Sequence, residues 1–239
     1  MNFAEIPRVY LTLKCNYRCG YCPLDVKKSN DISGDEWIKI LNEWPGDSVI
    51  LAGGEPTIHP DFAKIVNGLE KADVRIYSNM SFDSSLFERL EKKCSWYVSY
   101  HPGHRDTAAM VATRVAALKG HGHTLINVHA NEASGDTVES AKNTFALFNL
   151  NLEIEKDLFD SDQWVHHVSI PLVNCTYPRV YIGPDGRRYH CVKLMLESIA
   201  GGYDGGVIPD RRFPSIRECA LFGSCNPCDV VVHQCEAVQ

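Results

Sequence analysis

The sequence predicts an α/β protein, a partial (β/α)6 barrel over residues 1–160 followed by a small cysteine-rich subdomain over residues 161–239. Three observations lead there. Six short β-rich runs alternate with windows of helical apolar spacing, which implies a parallel sheet with helices packed outside it. Several of those runs alternate apolar and polar residues instead of reading apolar throughout. From about residue 160 the texture changes, and Gly, Pro, Cys and Arg accumulate.

The first strand is read at Val9–Lys14 and runs straight into a cysteine-rich octet, CNYRCGYC, at residues 15–22. A helix follows with a capping box, Ser33 and then Glu36 three residues on, and an apolar stripe of Trp37, Ile40, Leu41 and Trp44 at helical spacing. Further strands are expected at Ser48–Gly54, Val74–Asn79, Trp96–His101, Thr124–Asn131 and Asn151–Glu155. The helical windows between them carry Phe62/Ile65/Val66/Leu69, Leu86/Phe87/Leu90, Val111/Val115/Leu118 and Val138/Ala141/Phe145/Phe148. Six strands are few for closure, so the barrel is expected to be partial.

Parallel strands covered on both faces should be nearly continuous in apolar residues. Here Val74 and Ile76 alternate with Arg75, Tyr77 and Asn79, and Trp96 and Val98 with Tyr97, Ser99 and His101. Likewise Ile126, Val128 and Ala130 alternate with Asn127, His129 and Asn131, and Leu152 and Ile154 with Glu153 and Glu155. Successive side chains point to opposite faces of a strand. The apolar set therefore belongs under the helices and the polar set inside the barrel, where it implies a cavity for a polar ligand. An antiparallel sheet with one wet face is the competing reading, against which the regular intervening helices count.

Composition narrows the setting. The formal net charge is −6, and the densest basic groups are the pairs Arg187–Arg188 and Arg211–Arg212. A protein that grips nucleic acid by its phosphates shows a basic face, so nucleic acid is not expected as a partner. No run approaches the ~20 apolar residues of a membrane helix, and the first residues lack the pattern of a secretory signal. A cytoplasmic setting follows, with no membrane partner. Thiols stay reduced there, so ten cysteines point to metal ligation or redox chemistry before disulfides.

The octet lies after the first strand, at the end of a parallel sheet where α/β barrels carry their sites. By itself it is open to three readings: a zinc knuckle, a disulfide corner or a cluster site. A structural zinc site wants four protein ligands, whereas three thiolates on a 4Fe–4S cluster leave one iron open to another ligand. Cys15-x3-Cys19-x2-Cys22, with Tyr21 before the last cysteine, resembles the signature loop of the radical S-adenosylmethionine (SAM) enzymes. Gly53-Gly54-Glu55-Pro56-Thr57, after the second strand, is similar to that family's glycine–glycine–glutamate motif. Glycines allow close backbone approach, and a carboxylate there pairs with an ammonium. The resemblance covers roughly residues 8–155.

The resemblance implies a TIM-like partial barrel in which Cys15, Cys19 and Cys22 ligate a 4Fe–4S cluster and SAM chelates its open iron. Tyr21 would lie by the adenine, Gly53, Gly54 and Glu55 would meet the amino group, and Asn79, Ser99, Asn127 and His129 would be further SAM contacts. It implies electron delivery from a flavodoxin- or ferredoxin-type donor. Reductive cleavage of SAM then gives a 5′-deoxyadenosyl radical that abstracts hydrogen from a small polar substrate. His101, Glu153 and Glu155 are the interior candidates for substrate contact.

In the C-terminal part, Gly-Pro-Asp-Gly turns a hairpin within Arg179–Cys191. Gly186-x4-Cys191 and Cys225-x2-Cys228 resemble the family's C-terminal cluster-binding extension (the SPASM type) in its shortened form, called twitch. That resemblance implies one auxiliary 4Fe–4S cluster on Cys175, Cys191, Cys225 and Cys228, with Cys219 and Cys235 as substitutes. A four-cysteine zinc ribbon is the competing reading. The nearest pattern within the family is that of aminocyclitol dehydrogenases, in which the auxiliary cluster accepts an electron from the substrate. Peptide modification, nucleotide or nucleic-acid base chemistry, and a non-catalytic cluster or zinc module stay open. Cys94 reads as a buried small residue, His59 as a local capping group, Trp37 and Trp44 as core, and His166–His167 as linker residues without a visible partner.

Overall fold

The computed structural model describes residues 6–20, 22, 24, 29–131, 137–155, 173–177, 180–199, 215–219 and 234–237. Its main body is a sheet containing six parallel strands in sequential order: β1 (Arg8–Thr12), β2 (Ser48–Gly53), β3 (Asp73–Ser78), β4 (Ser95–Ser99), β5 (Thr124–Asn131) and β6 (Leu152–Glu155). Helices α1 (Gly34–Asn42), α2 (Phe62–Gly68), α3 (Ser85–Arg89), α4 (Ala108–Gly120) and α5 (Thr137–Leu147) alternate with them. The order is the one the sequence implies.

Local chemistry starts the helices where expected. Ser33 caps α1 by accepting the Glu36 N–H, while the Glu36 carboxylate accepts the Ser33 N–H, a complete capping box. Thr107 caps α4 by accepting the Met110 N–H. Trp37, Trp44, Phe62, Phe87, Trp96, Val115 and Phe145 then form one apolar layer between sheet and helices. Cys94 belongs to it, and buried His59 donates to Ile32 O and accepts the Asp61 N–H. The bland readings of both residues hold.

The parity argument holds in β3 and β4 but fails in part beyond them: Ile126 and Ile154, read as helix-facing, are exposed, Ile126 at the register shift between β4 and β5 and Ile154 on the terminal strand β6. In β3 and β4 the buried positions are Val74, Ile76, Ser78, Trp96 and Val98, while Arg75, Tyr77, Tyr97 and Ser99 are half-buried. Tyr77 and Tyr97 stack on that polar side with centroids 4.4 Å apart and planes within 7°, and the Arg8 guanidinium lies over Tyr77. β1 and β2 differ, being buried at nearly every position.

For β1 the reason lies past residue 160. The sequence-read hairpin forms, as β8 (Tyr181–Ile182) antiparallel to β9 (Arg188–Tyr189), but β8 also pairs parallel with β1 and extends the sheet to eight strands. Tyr10 and Leu13 thereby gain a cover of Tyr181, Tyr189 and Met195, the last on α6 (Val192–Ile199). The hairpin is thus hydrogen-bonded into the barrel sheet, although it lies beyond the composition change. A separate three-stranded antiparallel sheet joins β10 (Ser215–Cys219), β7 (Val173–Tyr177) and β11 (Gln234–Ala237).

Candidate active site

The strand exits build the site. After β1 the chain turns into the cysteine loop, closed by a Cys22 N–H bond to Cys19 O. The end of β2 lies alongside that exit, with Gly54 N–H donating to Thr12 O and Glu55 N–H to Lys14 O, both at 2.9 Å. The glycines have a packing reason that differs from approach to a ligand. A Cβ on Gly53 would sit 2.2 Å from Thr12 O, and one on Gly54 would sit 2.3 Å from Lys14 O. The close approach is made to the protein's own first strand, at the root of the cysteine loop.

Glu55, 1% exposed, ties three strand exits together. Its Oε1 accepts from Thr57 N–H (3.1 Å), Thr57 Oγ1 (2.5 Å) and Ser78 Oγ (2.9 Å), and its Oε2 accepts the Asn79 N–H at 2.7 Å. Burial raises its pKa, and these donors oppose the rise. Asn79, also buried, reaches the cysteine loop by donating to Asn16 Oδ1 at 3.1 Å and, at 3.9 Å, to the Cys15 sulfur.

The three thiols share one environment. Burial pushes Cys15 up to about 11, opposed by the Tyr17 N–H that donates to its sulfur, and the Glu55, Cys22 and Cys19 charges add to the rise. Burial raises the Cys22 thiol as well, and the negative charge that Cys15 feels from Glu55, Cys22 and Cys19 is one that a bound cation relieves, because thiolates ligate only when deprotonated. Five cysteine side chains are described, Cys15, Cys19, Cys22, Cys94 and Cys191, and none is in a disulfide. The donor set of the loop fits an iron–sulfur cluster with one iron left for another ligand, and Oε2 of Glu55, with one protein donor among the described residues, has room to accept an ammonium.

The remaining sequence candidates fall into two groups. Ser99 and His129 share a hydrogen bond of 2.8 Å between Oγ and Nε2, and Asn127 donates to Glu153 at 2.9 Å. These pairs line the polar side of β4–β6. His101, read from the sequence as a substrate contact, lies 3.5 Å from the Cys19 sulfur through Nδ1. Burial, with His104 and His129 nearby, lowers its pKa to about 4. Cys191 sits at the start of α6, where its sulfur accepts the Leu194 N–H. Tyr21, Cys225, Cys228 and His166–His167 lie outside the described residues, as does the side chain of Glu155.

Sequence reasoning missed Asn16, Tyr17, Ser81, His104 and Asp106. Asn16 donates to Ser81 Oγ and accepts from Asn79. His104 Nε2 is 3.3 Å from the Cys19 sulfur, and Tyr17 donates to buried Asp106. One signal was available. The segment HPGHRD follows the fourth strand, at the same end of the barrel as the cysteine loop.

A family model described as the radical SAM superfamily matches residues 9–137, the stretch that holds the exits of β1 to β5. The chain belongs to the radical SAM superfamily. Among its relatives, an S-adenosylmethionine-dependent nucleotide dehydratase of Selenomonas ruminantium is 40% identical over 63 residues, 25% of this chain and 23% of that protein. A PqqA peptide cyclase of Methylorubrum extorquens is 37% identical over 76 residues, 29% of this chain and 19% of that protein. A probable GTP 3′,8-cyclase of Thermococcus kodakarensis is 26% identical over 164 residues, 66% of this chain and 50% of that protein. The chain thus matches half or less of each of these relatives. A solved structure of Streptococcus suis SuiB bound to S-adenosylmethionine superposes with a TM-score of 0.43 and 14% identity, covering 80% of this chain and 61% of that one. No described helix is long and apolar enough to cross a membrane.

Proposed function

We propose that this protein reductively cleaves S-adenosylmethionine and uses the resulting radical to remove hydrogen from a small polar substrate. One observation carries the reading: three cysteines on one loop at the exit of β1, where the Cys15 sulfur feels the charges of Cys19, Cys22 and Glu55 and is reached by Asn79, the latter two from the next two strand exits. Cys15, Cys19 and Cys22 would hold a 4Fe–4S cluster, and Glu55, Asn79, Ser99, Asn127 and His129 would hold SAM. When bound, this pair of cofactors supplies a 5′-deoxyadenosyl radical; the protein's task is to orient the reactants and exclude water. Glu55 serves orientation, since its Oε1 is fixed by three protein donors while Oε2 accepts from a single one among the described residues.

We propose residues 161–239 as the auxiliary-cluster unit, with Cys175, Cys191, Cys225 and Cys228 as ligands. The register of the small sheet sets Cys175 of β7 opposite Cys235 of β11, which favours Cys235 as a substitute ligand over Cys219, whose partner in register is Val173. Such a cluster would accept the second electron of a dehydrogenation. A flavodoxin- or ferredoxin-type protein in the cytoplasm would deliver the first.

A nucleotide is the second reading of the substrate. Two of the named relatives act on nucleotides by their descriptions, and the polar side of the sheet carries the stacked Tyr77–Tyr97 pair with Arg8 above it, surfaces suited to a base and a phosphate.

The test is anaerobic. Protein reconstituted with iron and sulfide is given SAM and dithionite, and 5′-deoxyadenosine is quantified by mass spectrometry beside a Cys15→Ala/Cys19→Ala/Cys22→Ala variant. Product from the wild type alone supports the reading; a cluster-loaded wild type that makes none refutes it.

A further inference from the structure

We propose that the β4–α4 loop, residues 100–107, is an outer shell for the cysteine loop, in which Asp106 anchors Tyr17 while His101 and His104 donate N–H bonds to the Cys19 sulfur, and these two donors raise the potential at which the cluster is reduced. The proposal rests on the cluster assignment made above and goes beyond it to groups that touch neither SAM nor substrate. They are positioning residues.

Two imidazoles converge on one sulfur. His101 Nδ1 is 3.5 Å and His104 Nε2 3.3 Å from Cys19 Sγ, and their rings stand at 89° to each other, so they approach the sulfur from two directions. A ligating cysteine is a thiolate, an acceptor for both. The arrangement is held from behind. His104 stacks on Tyr17 at 4.6 Å and 14°, and Tyr17 meets His101 edge-on at 5.8 Å.

The Tyr17 hydroxyl donates to Asp106, whose side chain is 1% exposed and whose other oxygen pairs with Arg114 of α4 at 3.0 Å. Arg105 donates to Ser81 O at 2.8 Å and, at 3.3 Å, to the same carboxylate. Burial alone would raise the Asp106 pKa; the Tyr17 hydroxyl and the arginines hold it below the ordinary carboxylate range. A buried charge must keep its partners. Moving Tyr17 would break into a buried ion pair, so the cysteine loop is pinned to helix α4.

The electrostatic consequence has one sign. Reduction adds a negative charge to the cluster, and N–H donors on a ligating sulfur stabilise the more negative state. Removing them must lower the potential without removing a ligand.

The experiment is an EPR-monitored redox titration of the reconstituted holoprotein without SAM. His101→Leu/His104→Phe keeps an aromatic ring on Tyr17 and removes both donors; His101→Asn/His104→Gln returns amide N–H groups. At a fixed potential the double loss is expected to lower the reduced-to-oxidised ratio about tenfold, a shift of about −59 mV for one electron. The amide pair should recover most of it. His104→Phe alone should shift the ratio about threefold the same way, and it decides the matter if the double variant fails to load. Tyr17→Phe should lower the iron retained per chain. A loaded double variant, or a loaded His104→Phe, that titrates with the wild type overturns the shell while leaving the cluster assignment intact. A wild type without any reducible cluster signal overturns both.

Discussion

Replacing Gly54 by alanine puts a methyl group into the backbone that carries the cysteine loop. The new Cβ would lie 2.3 Å from Lys14 O, 2.5 Å from Leu13 O and 2.7 Å from the Lys14 carbonyl carbon. To restore an ordinary contact of 3.4 Å, the exits of β1 and β2 must part by about 1 Å. That separation strains or breaks the Gly54 N–H and Glu55 N–H bonds to Thr12 O and Lys14 O, at about 1 kcal/mol each. Overpacking adds about 1–3 kcal/mol, giving about 3–5 kcal/mol in all, or a fall of about 6–20 °C in Tm for a chain of this size. Because Cys15 is the next residue after Lys14, the variant should also retain less iron and sulfide. Gly20→Ala is the control: it sits in the same loop, with nothing within 4 Å of its added Cβ, and should change neither quantity. A Gly54→Ala protein that melts with the wild type and keeps its full cluster would refute the packing argument.

Glu55→Ala leaves the Asn79 N–H and the Ser78 hydroxyl buried without their acceptor, at about 1–3 kcal/mol each. Urea denaturation of the metal-free protein should show a loss of about 4 kcal/mol, with Glu55→Gln losing less; a loss under about 1 kcal/mol would contradict the reading. Buried His123 accepts the Cys94 N–H through Nδ1, and burial lowers its pKa to about 4 from 6.5. The unfolded chain therefore takes the proton first, so His123 stabilises the fold fully above pH 6.5, and that stability drains as pH falls towards 4. Between pH 7 and 5 this costs about 2 kcal/mol. His123→Asn, whose Oδ1 can accept the same N–H, should remove that part of the acid sensitivity. In the metal-free native protein, iodoacetamide should label exposed Cys22, whereas Cys94, buried with its thiol pushed up to about 12, should label only after unfolding. Rapid native labelling of Cys94 would mean that its strand is open.

The parts of the site that were legible in the sequence are those fixed by short-range rules. The capping box of α1, the polar and apolar parities of β3 and β4, and the adjacency of the cysteine octet to a strand end all follow from residues within one turn or one pleat. The groups that were missed depend on long-range folding. Tyr17 and Asp106 are 89 residues apart, and Cys19 and His104 are 85 apart; no spacing rule links them. The attachment of β8 to β1 was hidden for another reason, since two-residue strands such as Tyr181–Ile182 and Arg188–Tyr189 are too short to show a period. The glycines of residues 53–54 were legible as a motif, but their main steric reason was not. It is the chain's own backbone that occupies the space, and only the paired strands reveal that.

A single physical arrangement connects these points. The first strand delivers three thiols to one end of the sheet, the second and third supply Glu55 and Asn79, and the loop after the fourth encloses the far side through His101, His104 and Asp106. Each side chain sits on or next to a parallel strand exit, so the precision of the site comes from the sheet.

The most direct test of the central claim is EPR of the reduced, reconstituted protein with and without SAM. A cluster held by Cys15, Cys19 and Cys22 with one open iron predicts that SAM changes the reduced signal, and that Cys15→Ala/Cys19→Ala/Cys22→Ala abolishes that change. A reduced signal from the wild type that SAM leaves unaltered would contradict the account.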